Sequence, residues 1–216
     1  MRRKGFLMLV AMFLVLVLVA GCGPKAPEGE GEPESAEVFV KIATGGTAGV
    51  YFPLGGAVAE ILNKNVEGVN ASAETTGASV ANINMLKEHE VELAFIQNDI
   101  TYYAANGVEM YEGQKVDGLC GISSIYPETI QIVTLGKTGI KEIADVKGKR
   151  VAVGSAGSGT EANARQILEA YGITYDDITV QYLSFAEAAN SLKDGNVDVA
   201  FVTAGFPTAA IMDIAA

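Results

Sequence analysis

The sequence predicts an α/β protein made of two similar lobes that face each other across a cleft. Two glycine-rich loops, at residues 45–49 and 154–159, each follow a short β-branched run, and each opens into a helix. After both loops the chain continues as strand, helix and strand. Such a duplicated order is typical of two α/β lobes. Ligands on sheets of this kind bind beyond the carboxyl ends of the strands.

The two copies contain corresponding elements. The first copy is predicted to have strands at residues 38–44, 70–75 and 91–96, with helices at about 50–64, 79–89 and 100–105. The second copy is predicted to have strands at residues 150–154, 178–183 and 197–202, with helices ending near residues 171 and 194. A further strand at residues 129–134 crosses from one lobe to the other, and a last helix begins near residue 208.

The N-terminus has the pattern of a lipoprotein signal. Three basic residues precede an apolar run from Gly5 to Ala20, which is short for a membrane span, and Cys22 follows shortly after. Residues 18–22 resemble the bacterial lipobox, which implies cleavage before Cys22 and a lipid on its sulfur. An N-terminal anchor helix with an incidental cysteine is the alternative. We expect a signal peptide at residues 1–21 and a membrane anchor at Cys22.

Composition separates a tether from the globular part. Residues 22–37 are rich in Pro, Gly, Glu and Ala, which predicts a disordered acidic linker. Loss of the signal removes three of 15 basic residues and leaves 12 against 26 acidic ones, a net charge of 12 − 26 = −14. That charge argues against a nucleic-acid partner. We expect an incomplete lobe I over residues 38–123, and a crossover with an incomplete lobe II over residues 124–216.

The sequence offers little for enzyme chemistry. His89 is the one histidine and lies in a charged turn, so neither a Ser-His-Asp triad nor a zinc site is expected. Cys120 is expected to be a buried small apolar residue. The loop at residues 154–160 has no lysine and the wrong glycine order for a dinucleotide fingerprint. We therefore expect no enzyme, no metal and no cofactor.

The glycine loops are the predicted anion-binding elements. A strand-to-helix turn alone also explains their glycines, but Thr47 and Tyr51 add polar groups to the first loop. In the second loop, Ser158 or Thr160 caps the helix. The N–H groups and dipole of each helix N-terminus favour an anion. A side chain placed at Gly159 should then block the ligand and leave the fold intact.

Other strand ends also carry polar groups. The hydroxyls of residues 75–79 either face a ligand or cap the next helix. Gln97 and Asp99 can pair with a ligand amine or hydroxyl, and Asp99 is alternatively a helix cap. Tyr126, held extended by the following proline, projects into the cleft or into the core. The full set of predicted ligand-binding residues is Gly46, Thr47, Tyr51, Ala78, Ser79, Gln97, Asp99, Tyr126, Ser155, Ser158, Gly159, Thr160 and Gly205.

Five segments resemble the TAXI solute receptors, the extracytoplasmic binding components of one branch of the TRAP transporters. They are residues 45–51, 77–80, 94–99, 126–128 and 154–160. The resemblance covers residues 38–216. It implies a two-lobed periplasmic-binding-protein-like fold of type II-like form. Members of that family continue further, so the resemblance also implies a chain truncated at its C-terminus.

The resemblance implies a function as well. Such receptors bind a small organic anion, a glutamate-like amino acid or a dicarboxylate, and deliver it to a membrane permease driven by an ion gradient. Arg150 and Arg165 lie outside the predicted loop mouths, so a carboxylate would rest on N–H groups, hydroxyls and tyrosine. The main alternative is the substrate-binding lipoprotein of an ABC importer. A secreted enzyme and an adhesin are weaker alternatives.

Overall fold

The first half of the globular part is a three-stranded parallel sheet in the computed structural model, which describes residues 37–215. Its strands are β1 (Val38–Ala43), β2 (Val69–Glu74) and β3 (Leu93–Ala94), in the order β2-β1-β3. Helices α1 (Tyr51–Asn65) and α2 (Ser79–Lys87) connect these strands, and α3 (Asn98–Asn106) follows them. The predicted signal, Cys22 and the linker up to residue 36 lie outside the described residues.

The second half is a four-stranded mixed sheet. Its strands are β4 (Thr129–Thr134), β5 (Arg150–Gly154), β6 (Thr179–Tyr182) and β7 (Val199–Ala204), in the order β4-β7-β5-β6. Its helices are α4 (Gly159–Ala170), α5 (Phe185–Lys193) and α6 (Ala209–Ala215). Strand β4 runs antiparallel to β7, whereas β5 is parallel to both its neighbours.

The order β6-β5-β7 repeats the order β2-β1-β3. The duplication predicted from the sequence is therefore confirmed, and the chain has two α/β lobes with separate sheets. The lobe limits at residues 123 and 124 stay a prediction.

Strand β3 is shorter than predicted. The backbone amide of Phe95 still donates to Ala43 O (2.9 Å), but the Phe95 carbonyl accepts from the side-chain amide of Asn82 (2.8 Å). A side chain thus takes the place of a strand partner, and regular pairing covers only Leu93 and Ala94. The predicted strand over residues 91–96 was too long for this reason.

Each sheet packs its helices over an apolar core. The largest buried cluster lies around β5 and β7 and includes Val151, Leu168 and Phe201. A second cluster joins α2 and α3 through Ile83 and Ile100, and it also contains Ala162 from α4 of the other half. The two halves therefore share a core at this point, where α4 packs against α2 and α3.

The segment before β4 is mostly exposed. Residues 117–128 form neither helix nor strand. Cys120 is exposed there, so its predicted burial was wrong, because no element packs over it. Within residues 37–215, no helix combines the length and apolar character needed to span a membrane.

Candidate functional site

A cleft lies where the carboxyl ends of β1 and β5 and the loops after them meet. The empty space along its walls amounts to about 500 Å³, much of which is open to solvent. Both halves of the chain contribute walls, as the duplicated loops predict. The predicted ligand-binding residues that line it are Gly46, Tyr51, Ala78, Gln97, Tyr126, Ser155, Ser158 and Thr160.

The other five predicted residues do not line this cleft. Thr47 is exposed on the outside of the first loop. Ser79 is buried and accepts from the amide of Gln97, and Gly159 lies beneath Gln97. Asp99 is half-buried and accepts from the side chain of Asn163. Gly205 packs against the Tyr126 ring and belongs to a separate apolar groove with Leu54 and Phe206.

The first glycine loop leaves a helix end open. No side chain caps α1 at Val50, so the first N–H groups of this helix have no side-chain acceptor. The phenol of Tyr51, the first residue of α1, reaches over to the carboxylate of Glu128. The loop also approaches the other half, since a Cβ at Gly46 would lie 3.7 Å from Cβ of Ser184.

The second glycine loop needs its glycines for backbone reasons. Gly154 has a φ of +102°, and a Cβ there would lie 2.8 Å from Oγ of Ser158. Ser158 caps α4, because its Oγ accepts from the amide of Glu161 (3.0 Å). Between the two capping alternatives, the structure selects Ser158.

The N-terminus of α4 is closed rather than open to an anion. A Cβ built at Gly159 would overlap the carboxamide of Gln97, which is itself buried. A side chain at Gly159 must therefore displace Gln97, so we now expect it to destabilise the fold rather than leave it unchanged. Gln97 from the first half covers this helix end, and any substitution must displace it.

A polar network that begins at the wall of the cleft joins the two halves. The Nε2 of Gln97 donates to Oδ1 of Asn163 (2.9 Å), and the Nδ2 of Asn163 donates to Oδ2 of Asp99 (2.8 Å). Thr203 on β7 also donates to Oδ1 of Asn163 (3.2 Å). Asn163 thus connects α4, β7 and the start of α3. Its position inside a helix gave no sequence signal for this role.

The N-terminus of α2 is likewise occupied. The amides of Val80 and Ala81 donate to the carbonyl of Gly157 in the second loop (3.1 and 3.0 Å). A peptide carbonyl from the opposite half therefore accepts the hydrogen bonds of these two N–H groups, which leaves them unavailable to an anion. Ala78, at the start of this helix, has a φ of +73°, a strained value for a residue other than glycine.

Glu128 is the functional candidate that sequence reasoning missed. Its Oε2 accepts from the phenol of Tyr51 and its Oε1 from the phenol of Tyr126, both at 3.1 Å. Burial raises the pKa of the Glu128 carboxyl, and the hydrogen bonds from the two phenols lower it. Burial and the nearby carboxylate raise the pKa of both phenols above their usual range, so they stay protonated donors.

No lysine, arginine or histidine is among the described residues that line the cleft. Arg150 is held by Asp198 across the β5–β7 pair (2.6 Å), and Arg165 lies beside Glu161. The cleft therefore offers one carboxylate, hydroxyls, amides and aromatic rings, without a side-chain cation.

Solved structures share this fold at low sequence identity. The alkanesulfonate-binding protein SsuA from Xanthomonas axonopodis pv. citri, bound to MOPS, is 22% identical with a TM-score of 0.54, over 78% of this chain and 55% of its own. An ABC uptake transporter substrate-binding protein from Streptococcus pneumoniae with bound histidine is 18% identical with a TM-score of 0.51, over 76% and 65%. A binding protein of an ABC phosphonate transporter from Pseudomonas aeruginosa is 11% identical with a TM-score of 0.54, over 77% and 57%.

The chain thus spans between half and two thirds of the length of these proteins. Their likeness establishes the periplasmic-binding-protein-like fold that the sequence predicted. The model of the NMT1-like family matches residues 42–216, which is most of the chain. The protein is therefore a member of the NMT1-like family.

Proposed function

We propose that this chain is the ligand-binding part of an extracytoplasmic solute receptor, which holds a small organic molecule between its two halves. The observation that supports this most strongly is the cleft, to which both glycine loops contribute backbone and side chains. A site formed by two lobes excludes water when the lobes meet, and exclusion of water strengthens each polar contact inside. Neither a nucleophile–base pair nor a side-chain cation accompanies it among the described lining residues.

A small organic anion remains the predicted ligand class, either a glutamate-like amino acid or a dicarboxylate. With no arginine in the described lining, a carboxylate would rest on N–H groups and hydroxyls. Within residues 37–215 the hydroxyls of Ser155 and Thr160, which line the cleft, have no hydrogen-bond partner and are not sealed in the interior, so both are available to a ligand. Two of the solved neighbours hold MOPS and histidine, respectively, which agrees with a small polar ligand.

The membrane partner is proposed to be a permease that accepts the ligand. The sequence resemblance favours a TRAP-type permease, whereas two of the solved neighbours serve ABC transporters. The ABC importer, the alternative that the sequence left open, is therefore the better-supported partner class. An extracytoplasmic location with a lipid anchor at Cys22 completes the proposal, and metabolic labelling of a Cys22→Ala variant with a fatty-acid analogue tests the anchor.

Replacing Gly46 by valine tests the cleft. The new side chain would project toward Ser184 without backbone strain and would fill the space between the halves. We expect Gly46→Val to abolish the ligand-induced rise in the thermal unfolding midpoint, while the unfolding free energy without ligand changes by less than about 0.5 kcal/mol. The ligands are amino acids, dicarboxylates, sulfonates and phosphonates in a thermal-shift panel.

Gly121→Val is the matched control. A Cβ at Gly121 meets no atom within 4 Å, and this residue lies outside the cleft. The Gly121→Val protein should show the same ligand-induced rise in the unfolding midpoint as the unaltered protein. Equal ligand-induced shifts in Gly46→Val and in the unaltered protein would place the binding site elsewhere.

A further inference from the structure

Glu128, Tyr51 and Tyr126 form a hydrogen-bonded cluster in the cleft that indicates which ligand group binds there. Tyr51 belongs to α1, whereas Tyr126 and Glu128 lie just before β4, and all three line the cleft. Both phenols donate their single proton to the carboxylate. What remains on all three groups is acceptor capacity, because a phenol has one proton and an ionised carboxylate has none.

The Ser79 hydroxyl lies close enough to the Tyr51 phenol to lower its pKa by hydrogen bonding, so the unused acceptor capacity that matters here is that of the Glu128 carboxylate. Within residues 37–215, the hydrogen bonds to Glu128 come from the two phenols alone, and no lysine, arginine or histidine lines the described cleft. A half-buried carboxylate without a cation is unfavourable, since burial penalises its charge. The nearby negative charge of Asp99 adds to that penalty. A cationic donor in the cleft would offset both the cost of burying the Glu128 charge and the repulsion from Asp99.

The aromatic surroundings suit a cation as well. The rings of Tyr51 and Tyr126, which both line the cleft, lie with their centroids 6.4 Å apart. The faces of such rings attract ammonium groups, and the attraction grows when the site excludes water.

We infer that Glu128, flanked by Tyr51 and Tyr126, receives an ammonium group of the ligand and selects amine-bearing solutes over simple carboxylates. This inference rests on the proposed function of the cleft. The hydroxyls of Ser155 and Thr160, which have no partner within the described part of the chain, are on the other half and suit the carboxylate of the same ligand. A zwitterionic amino acid then fits the cleft better than a dicarboxylate.

Matched ligand pairs test the inference. Calorimetry compares L-glutamate with glutarate, L-leucine with 4-methylpentanoate, and L-serine with 3-hydroxypropanoate, which differ within each pair by the amino group. For the pair whose side chain fits, we expect the amino acid to bind at least about 30-fold more tightly than its partner. Loss of one member of a buried hydrogen-bonded charge pair has effects of this size.

Glu128→Gln should abolish that preference, and Tyr126→Phe should reduce it. Glu67→Gln is the control, since Glu67 is exposed and has no side-chain partner within residues 37–215. The Glu128→Gln protein is expected to fold, because the substitution replaces a carboxyl group whose pKa is raised by burial with a neutral amide. Such a group opposes folding as the pH rises above its pKa, so the unfolding midpoint of Glu128→Gln at neutral pH should not fall.

The outcomes separate the two levels of the proposal. If Glu128→Gln keeps the preference, or if only glutarate, methylphosphonate or ethanesulfonate binds, the ammonium inference is overturned and the receptor function stands. If none of the amino acids, carboxylates, sulfonates and phosphonates binds the protein, the receptor function is overturned as well.

Discussion

Gly159→Ala is expected to lower the unfolding free energy by about 1–3 kcal/mol, the usual effect of forcing extra atoms into a packed interior. The added Cβ would overlap the carboxamide of Gln97. Gln97 is buried and bonded to Asn163, so it cannot rotate away without breaking a contact between the two halves. Urea denaturation followed by circular dichroism measures the change.

Gly56→Ala provides the matched control. Gly56 lies on the exposed side of α1, and a Cβ there meets no atom within 4 Å. Alanine is the better helix former, so this variant should gain about 0.5–1 kcal/mol. A Gly159→Ala protein as stable as the unaltered one would mean that Gln97 does not cover the N-terminus of α4.

Asn163→Ala is expected to cost roughly 3 kcal/mol of unfolding free energy. Loss of the Asn163 carboxamide removes a hydrogen bond to the Asp99 carboxylate and leaves the hydroxyl of Thr203 without its acceptor. Buried polar groups left without partners lose their hydration and gain nothing in return, and the penalty is larger for a charged group. Equilibrium denaturation at pH 7 measures this loss.

Asn106→Ala is the control for this second substitution. Asn106 is at the end of α3, and its side chain bonds only the carbonyl of Tyr102 in the same helix. Its removal should change stability by less than about 0.5 kcal/mol. Equal effects at Asn106 and Asn163 would show that the network between the halves contributes no particular stability.

The sequence was informative where the signal is local. A glycine loop between a β-branched run and an amphipathic helix specifies a strand, a turn and a helix within about 30 residues. Two such units predicted the order that both sheets adopt. The loops that line the cleft followed from the same reasoning, since the carboxyl ends of parallel strands meet at one edge.

The sequence was uninformative where a role depends on how the halves dock. The phenol of Tyr51 meets Glu128 across 77 positions of the chain, and Gln97 meets Asn163 across 66. Glu128 lies in the segment 126–128 that carries the family resemblance, but nothing in that segment indicates its pairing with Tyr51, and Asn163 lies in no such segment. Gly159 was assigned to an open helix end for the same reason, because the residue that covers it comes from the other half.

Hydrogen exchange with and without ligand tests the central claim most directly. The ligand is the compound of the panel above that raises the unfolding midpoint most, and the readout is exchange at each backbone amide. A ligand held between the halves should slow exchange at residues 45–52 and at residues 154–160 together. Protection of one loop alone, or of neither, would contradict a binding site formed by both halves.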